Sequence, residues 1–142
     1  MFVVDTSVAV KWVVARDESD VGQARALRKA HIEHRCLLCA PELLVFEFSN
    51  ALMTGRRSSP ADVAEALQEL RNLQLDLRPL EWNVAERAVA HSWEAGTTVC
   101  DSYFLALALE LGSTLVTADE RFHLKARRFG GITLLRDLRL RP

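Results

Sequence analysis

Short apolar runs alternate along the chain with longer stretches of helical character. Phe2-Val3-Val4 predicts a short buried strand. Further strands are expected at Cys36 to Ala40, Leu75 to Leu77, Thr114 to Thr117 and Ile132 to Leu135. Between them, helices are expected at Ser7 to Val14, Asp20 to His34, Pro41 to about Thr54, Ala61 to Asn72, Trp82 to Glu94, Asp101 to Leu111 and Arg121 to Arg128. Gly and Pro punctuate the boundaries: Ser58-Ser59-Pro60 opens a helix, Pro41 fits a helical first turn, and Gly55, Gly96 and Gly112 close helices. Strands this short and apolar, separated by helices, predict an α/β fold whose sheet is mainly parallel and covered on both faces.

Four carboxylates break the apolar pattern. Asp5 follows the first strand, Glu47 interrupts Leu43 to Phe48, Asp101 precedes Tyr103 to Leu111, and Asp119 follows Thr114 to Thr117. A lone buried carboxylate is costly, so it takes a proton, pairs with a cation or binds a metal. If the fold gathers all four, a hard divalent cation is the simplest neutraliser, and that points to metal-dependent phosphodiester chemistry. In open α/β sheets, sites form beyond the carboxyl ends of the strands, and Asp5 and Asp119 both lie just past one. On a helical wheel of about 100° per residue, Asp101 shares a side with Phe104, Leu105 and Ala108, which aims it towards the core face. Glu47 has Asn50 and Thr54 on its side of the helix, and Asn50 is expected to hold its carboxylate in one rotamer. Each acid also has a plainer reading. Asp5 and Asp119 suit helix N-caps, Asp101 suits a helix dipole, and Glu47 suits an exposed helical face. Thr6, Ser7 and Thr117 are candidates for hydrogen bonds that orient the acids, with turn and strand chemistry as their other reading.

At 142 residues the sequence suits one domain, 1–142, with enough apolar content for a core without disulfides. A net charge of −1 gives no overall field that attracts nucleic acid. The distribution is less even: from Glu120 to Pro142 there are seven basic residues against two acidic ones. Such an end beside an acidic cluster suits a polyanion held against metal ions, and equally suits a solvated surface. Three cysteines, an odd number, argue against a disulfide framework and for a reducing cytoplasm. Asp5 and Lys11 interrupt the N-terminal apolar stretch, so no signal peptide is expected, and no apolar run is long enough to span a membrane. His31, His34, Cys36 and Cys39 are rejected as zinc ligands, because residues three apart on a strand face opposite ways. There is no Gly-rich phosphate loop, nucleophile elbow or dinucleotide fingerprint.

Four segments taken together resemble the PIN-domain ribonucleases, in particular VapC-type toxins. They are Val3 to Trp12 around Asp5, Pro41 to Leu52 around Glu47, Cys100 to Ala108 with Asp101, and Leu115 to Phe122 with Asp119. The resemblance covers nearly the whole chain, in the family's order. It implies a three-layer α/β/α fold with a mainly parallel sheet, an acidic pocket that binds Mg²⁺ or Mn²⁺, and RNA cleavage. It further implies a homodimer and a small antitoxin whose C-terminal segment enters the groove. One departure is Cys100, where an aromatic residue commonly precedes the third acid; this is expected to touch packing rather than ligation.

Oxygen ligands without a matching His or Cys suit Mg²⁺ or Mn²⁺ rather than zinc. Asp5 and Asp101 are assigned as the main ligands, with Glu47 and Asp119 completing the site directly or through water. In-line attack by an activated water on a phosphodiester is the expected reaction, and no side chain stands out as a general base. For RNA contact the candidates are Arg56 and Arg57 at a helix end and the segment Arg121 to Arg128. Trp12 and Trp82 read as core or dimer-interface aromatics, with base stacking as the alternative. Three other readings compete: an RNA-processing nuclease without an antitoxin, a phosphoacceptor receiver domain, and a catalytically silent binding module. A receiver domain wants paired acids after the first strand and a late Lys, where this chain has a single Asp5 and Thr117-Ala118-Asp119.

Overall fold

The computed structural model describes residues 1–14 and 19–140. The chain runs β1 (Phe2–Val4), α1 (Thr6–Val13), α2 (Val21–Ile32), β2 (Leu38–Pro41), α3 (Leu43–Asn50), α4 (Pro60–Asn72), β3 (Asp76–Arg78), α5 (Trp82–Ala95), α6 (Val99–Glu110), β4 (Thr114–Thr117), α7 (Glu120–Ala126) and β5 (Ile132–Leu134). Arg141 and Pro142, from the basic C-terminal stretch, lie outside the described residues.

The five strands form one sheet in the order β3-β2-β1-β4-β5, and every pairing is parallel. Consecutive strand residues face opposite sides of a sheet. Val3 and Val4 are both 0 % exposed, as are Leu115 and Val116, so both faces of the central strands are covered. This is the three-layer arrangement expected. α6 packs against β1, β2 and β4 on one side and against α5 on another. It is buried all round in its middle: every residue from Ser102 to Ala108 is buried. The wheel argument that gave α6 a separate core side for Asp101 is therefore corrected. The helix has no solvent side along that run.

Local chemistry sets most boundaries. Ser59 caps α4 in a reciprocal capping box with Asp62, with Pro60 as the first helical residue. Gly96 closes α5 in the left-handed conformation at φ 64°. Two expectations need correction. Pro41 ends β2 instead of opening α3. Its missing N–H is tolerated there because Glu42 N–H continues the contact to the Arg78 carbonyl at 2.9 Å. The helix through Glu47 does not run evenly to Thr54. It widens into a π-helical turn at Ala51–Gly55, where the Thr54 hydroxyl bonds back to the Asn50 carbonyl at 2.7 Å.

Candidate active site

Strand order reverses at β1. The chain moves outwards through β2 and β3 on one side, then returns to place β4 and β5 on the other. Such a switch point opens a crevice past the carboxyl ends of β1 and β4. Asp5 directly follows β1 and Asp119 stands two residues past β4. A helix leading into a parallel strand starts at that same end of the sheet, so α6 delivers Asp101 there from its first turn. α3 contributes Glu47. All four acids line one cavity of about 360 Å³, together with Thr6, Ser7, Val10, Asn50 and Ala51.

Each acid is held by its own local contacts. Asp5 caps α1: Oδ1 accepts from Val8 N–H at 3.3 Å and from the Ser7 hydroxyl at 2.5 Å. Asp119 caps α7, accepting from Phe122 N–H at 2.9 Å. Its own N–H donates to Thr117 Oγ1 at 3.1 Å. The cap of α6 is Thr98, which accepts from Asp101 N–H at 3.0 Å. The helix thus begins at Val99, earlier than expected, and Asp101 sits in its first turn. Glu47 Oε2 accepts from the Thr6 hydroxyl at 3.0 Å. Among the described residues this partner replaces the expected Asn50, whose side chain is exposed on the cavity wall. Ser7 joins the two loops of the crevice. Besides its bond to Asp5, Oγ accepts from Ala118 N–H at 2.8 Å and lies 3.3 Å from Thr117 Oγ1.

Burial and mutual repulsion act on these acids together. Asp5 is 9 % exposed, and burial raises its pKa from 3.8 to about 6, with a further push from Asp101. Ser7, Thr117 and Val8 N–H oppose that rise. Glu47 is raised by burial, against the Thr6 hydrogen bond, with Asp101 adding to the rise. Asp101 is also raised by burial, against Thr98, and Asp119 adds repulsion. Among the described residues, no Arg or Lys forms an ion pair with any of the four. No three His, Cys, Asp or Glu side chains among the described residues are drawn onto one point as a ready-made ligand set. The acids instead line the walls of a shared cavity. Their chemistry fits a hard divalent cation: the donors are all oxygens, they repel one another, and none is ion-paired with a basic side chain among the described residues.

A pH effect follows from Asp5. An acid whose pKa is raised by folding contributes stability below its unfolded value and loses it as the pH rises through the folded one. In metal-free protein the loss falls between 3.8 and about 6. Asp5→Asn removes the group, so its stability relative to wild type should improve by up to about 3 kcal/mol from pH ~4 to pH ~7. Thermal unfolding with chelator present measures the difference, and parallel pH profiles for the two proteins would contradict it.

Other expectations divide. Arg56 and Arg57 are exposed beyond the π-helical turn and line neither this cavity nor its neighbour. Arg121 lines a second cavity with Lys125, and both belong to the basic segment expected to meet RNA. Trp12 is core, 6 % exposed, with its indole N–H on the Ala24 carbonyl at 3.0 Å. Trp82 is 80 % exposed, which excludes its core reading. Cys100 is exposed beside Glu47, so the departure at this position does not touch the packing of the core. Both ring nitrogens of His31 meet backbone: Nδ1 accepts from Leu38 N–H at 3.3 Å, and Nε2 donates to the Leu73 carbonyl at 2.9 Å. No helix among the described residues is long and apolar enough to cross a membrane.

Sheet order and cavity together define a parallel α/β domain with a carboxylate-lined crevice. Residues 2–128 match the PIN domain family, and the chain belongs to it. No curated protein matches it in sequence. Several solved structures share the fold. PAE2754 from Pyrobaculum aerophilum is 22 % identical, with 95 % of this chain and 89 % of that one covered and a TM-score of 0.66. VapC20 of Mycobacterium tuberculosis, a sarcin–ricin loop cleaving toxin, is 16 % identical over 87 % of this chain and 94 % of that one, with a TM-score of 0.69. FitAcB from Neisseria gonorrhoeae is 16 % identical over 97 % and 100 %, also at 0.69. The receiver-domain alternative is excluded by strand order. Receiver sheets run 2-1-3-4-5, whereas this sheet runs 3-2-1-4-5.

Proposed function

We propose that this protein is a Mg²⁺- or Mn²⁺-dependent endoribonuclease and the toxin of a toxin–antitoxin pair. The observation that carries the reading is the shared cavity in which Asp5, Glu47, Asp101 and Asp119 meet without an ion-paired basic partner among the described residues. Membership of a nuclease family and the fold it shares with toxins support it. Asp5 and Asp101 would be the principal ligands, with Glu47 and Asp119 completing the set. A bound divalent cation supplies Lewis acidity and neutralises charge at the phosphodiester. The chain supplies position. Ser7 and Val8 N–H fix Asp5, Thr6 fixes Glu47, Thr98 caps the helix carrying Asp101, and Thr117 fixes the turn carrying Asp119.

The test is incubation of the purified protein with total RNA, with Mg²⁺, with Mn²⁺ and with chelator, followed by sequencing of the new ends. Recurrent cleavage sites that vanish on chelation are expected. Cleavage undiminished by chelator, or none with either metal, would sink the proposal. The toxin role is tested by growth arrest in the cytoplasm of a bacterial host, relieved by Asp5→Ala; unhindered growth at full expression would leave an RNA-processing nuclease. We further infer a homodimer. Trp82, Val89 and Trp93 form one stripe on α5, with exposures of 80, 55 and 89 %, and a second copy would cover it. Sedimentation should give a dimer that Trp93→Asp weakens; a monomeric wild type would remove this inference.

A further inference from the structure

The carboxylate cavity does not end at Asp101 and Asp119. Those two side chains also form one wall of a second, larger cavity of about 480 Å³. Arg121 and Lys125 from α7 also line it, together with Thr97 and Thr98. Gly96, which also lines it, borders open space, and its left-handed φ of 64° turns the chain there. We propose that this second cavity is a phosphate subsite, in which Arg121 and Lys125 hold the phosphate neighbouring the one cut in a single-stranded RNA. The proposal rests on the nuclease reading given above and names where the strand leaves the carboxylates.

Charge bookkeeping around α7 favours it. Arg128 and Arg136, just beyond the cavity, are paired with Glu94 and Glu120. Arg121 and Lys125 have no carboxylate partner among the described residues. Lys125 Nζ donates to the Gly96 carbonyl at 2.9 Å, a neutral contact that steers the ammonium without cancelling its charge. Residues four apart on a helix share a face, so both cations address the same space. A nucleic-acid strand carries a charge on every phosphate. Next to four carboxylates, that strand is repelled except where cations offset it, and this cavity is where they stand. The apolar part of the cavity does not serve stacking, because Phe122 is 4 % exposed.

The experiment measures steady-state cleavage of a short single-stranded RNA containing a mapped site, over a range of salt. It compares wild type with Arg121→Ala/Lys125→Ala and with the charge-keeping Arg121→Lys/Lys125→Arg. The alanine pair should raise KM roughly 10-fold, with the loss in KM rather than kcat. It should also flatten the dependence of log affinity on log salt by about 0.7, the value for one phosphate contact on a single strand. The charge-keeping pair should stay near wild type in both. Unchanged KM and salt slope in the alanine pair, while wild type cleaves, overturn the subsite and leave the nuclease reading standing. Equal losses in both double variants also overturn it, since charge then does not matter. If wild type neither binds nor cleaves RNA, both proposals fall.

Discussion

Asp101→Asn should abolish RNA cleavage, by at least about 10³-fold, while leaving the fold intact. The asparagine matches aspartate in shape. The cap of α6 survives, because Thr98 accepts from the backbone N–H of residue 101 and not from its side chain. Burial and Asp119 both work against the ionised form of Asp101. A neutral amide removes that repulsion, so thermal stability should be unchanged or slightly higher. Asp5→Asn should lose activity alike, with the larger gain in stability at neutral pH that the raised pKa of Asp5 implies. Its amide oxygen can still accept from Val8 N–H, and the Ser7 hydroxyl remains within reach. Alanine at position 5 is a poorer test because it also removes a helix cap, costing about 1 kcal/mol. Loss of activity with retained stability is the signature of a ligand. Full activity in either asparagine variant contradicts the assignment.

Ser7→Ala should do the reverse and damage both properties. This one hydroxyl donates to Asp5 at 2.5 Å and accepts from Ala118 N–H at 2.8 Å. It therefore ties the loop after β1 to the loop after β4, across the switch point where the acids meet. Removing it leaves the Ala118 N–H without its partner, at a cost of about 1–3 kcal/mol. It also frees Asp5 to turn, and loss of an orienting hydrogen bond typically weakens metal affinity 10- to 100-fold. Thr6→Val is the useful contrast, since it breaks only the bond to Glu47. Melting temperature and Mn²⁺ affinity report the two effects separately. A Ser7→Ala protein that matches wild type in both would show that the crevice is held by other means.

The parts legible in the sequence are those set by neighbours along the chain. Thr114–Thr117 is a strand as read, because β-branched residues fill a slot buried on both faces. Ser59-Pro60-Ala61-Asp62 announces its own capping box, and Gly96 its own helix end. The acids were legible because a carboxylate at a strand end or inside an apolar run conflicts with local burial. What the sequence hid is long-range. Thr6 and Glu47 are 41 positions apart, and only the packing of α1 on α3 makes them partners in place of the nearby Asn50. The wheel for α6 assumed one wet side, which a helix enclosed by both sheet and α5 lacks. Lys125 was legible only as one of the basic residues from Arg121 to Arg128; its tie to the turn at Gly96, 29 residues away, was not.

The central claim is that these carboxylates act as one cation site. Titration of metal-free protein with Mn²⁺, followed by the loss of the free-ion paramagnetic signal, tests it most directly. The account predicts saturable uptake by wild type that Mg²⁺ competes away and that Asp5→Asn and Asp101→Asn each lose. Uptake that survives in both variants, or a wild type that takes up no Mn²⁺, would contradict it.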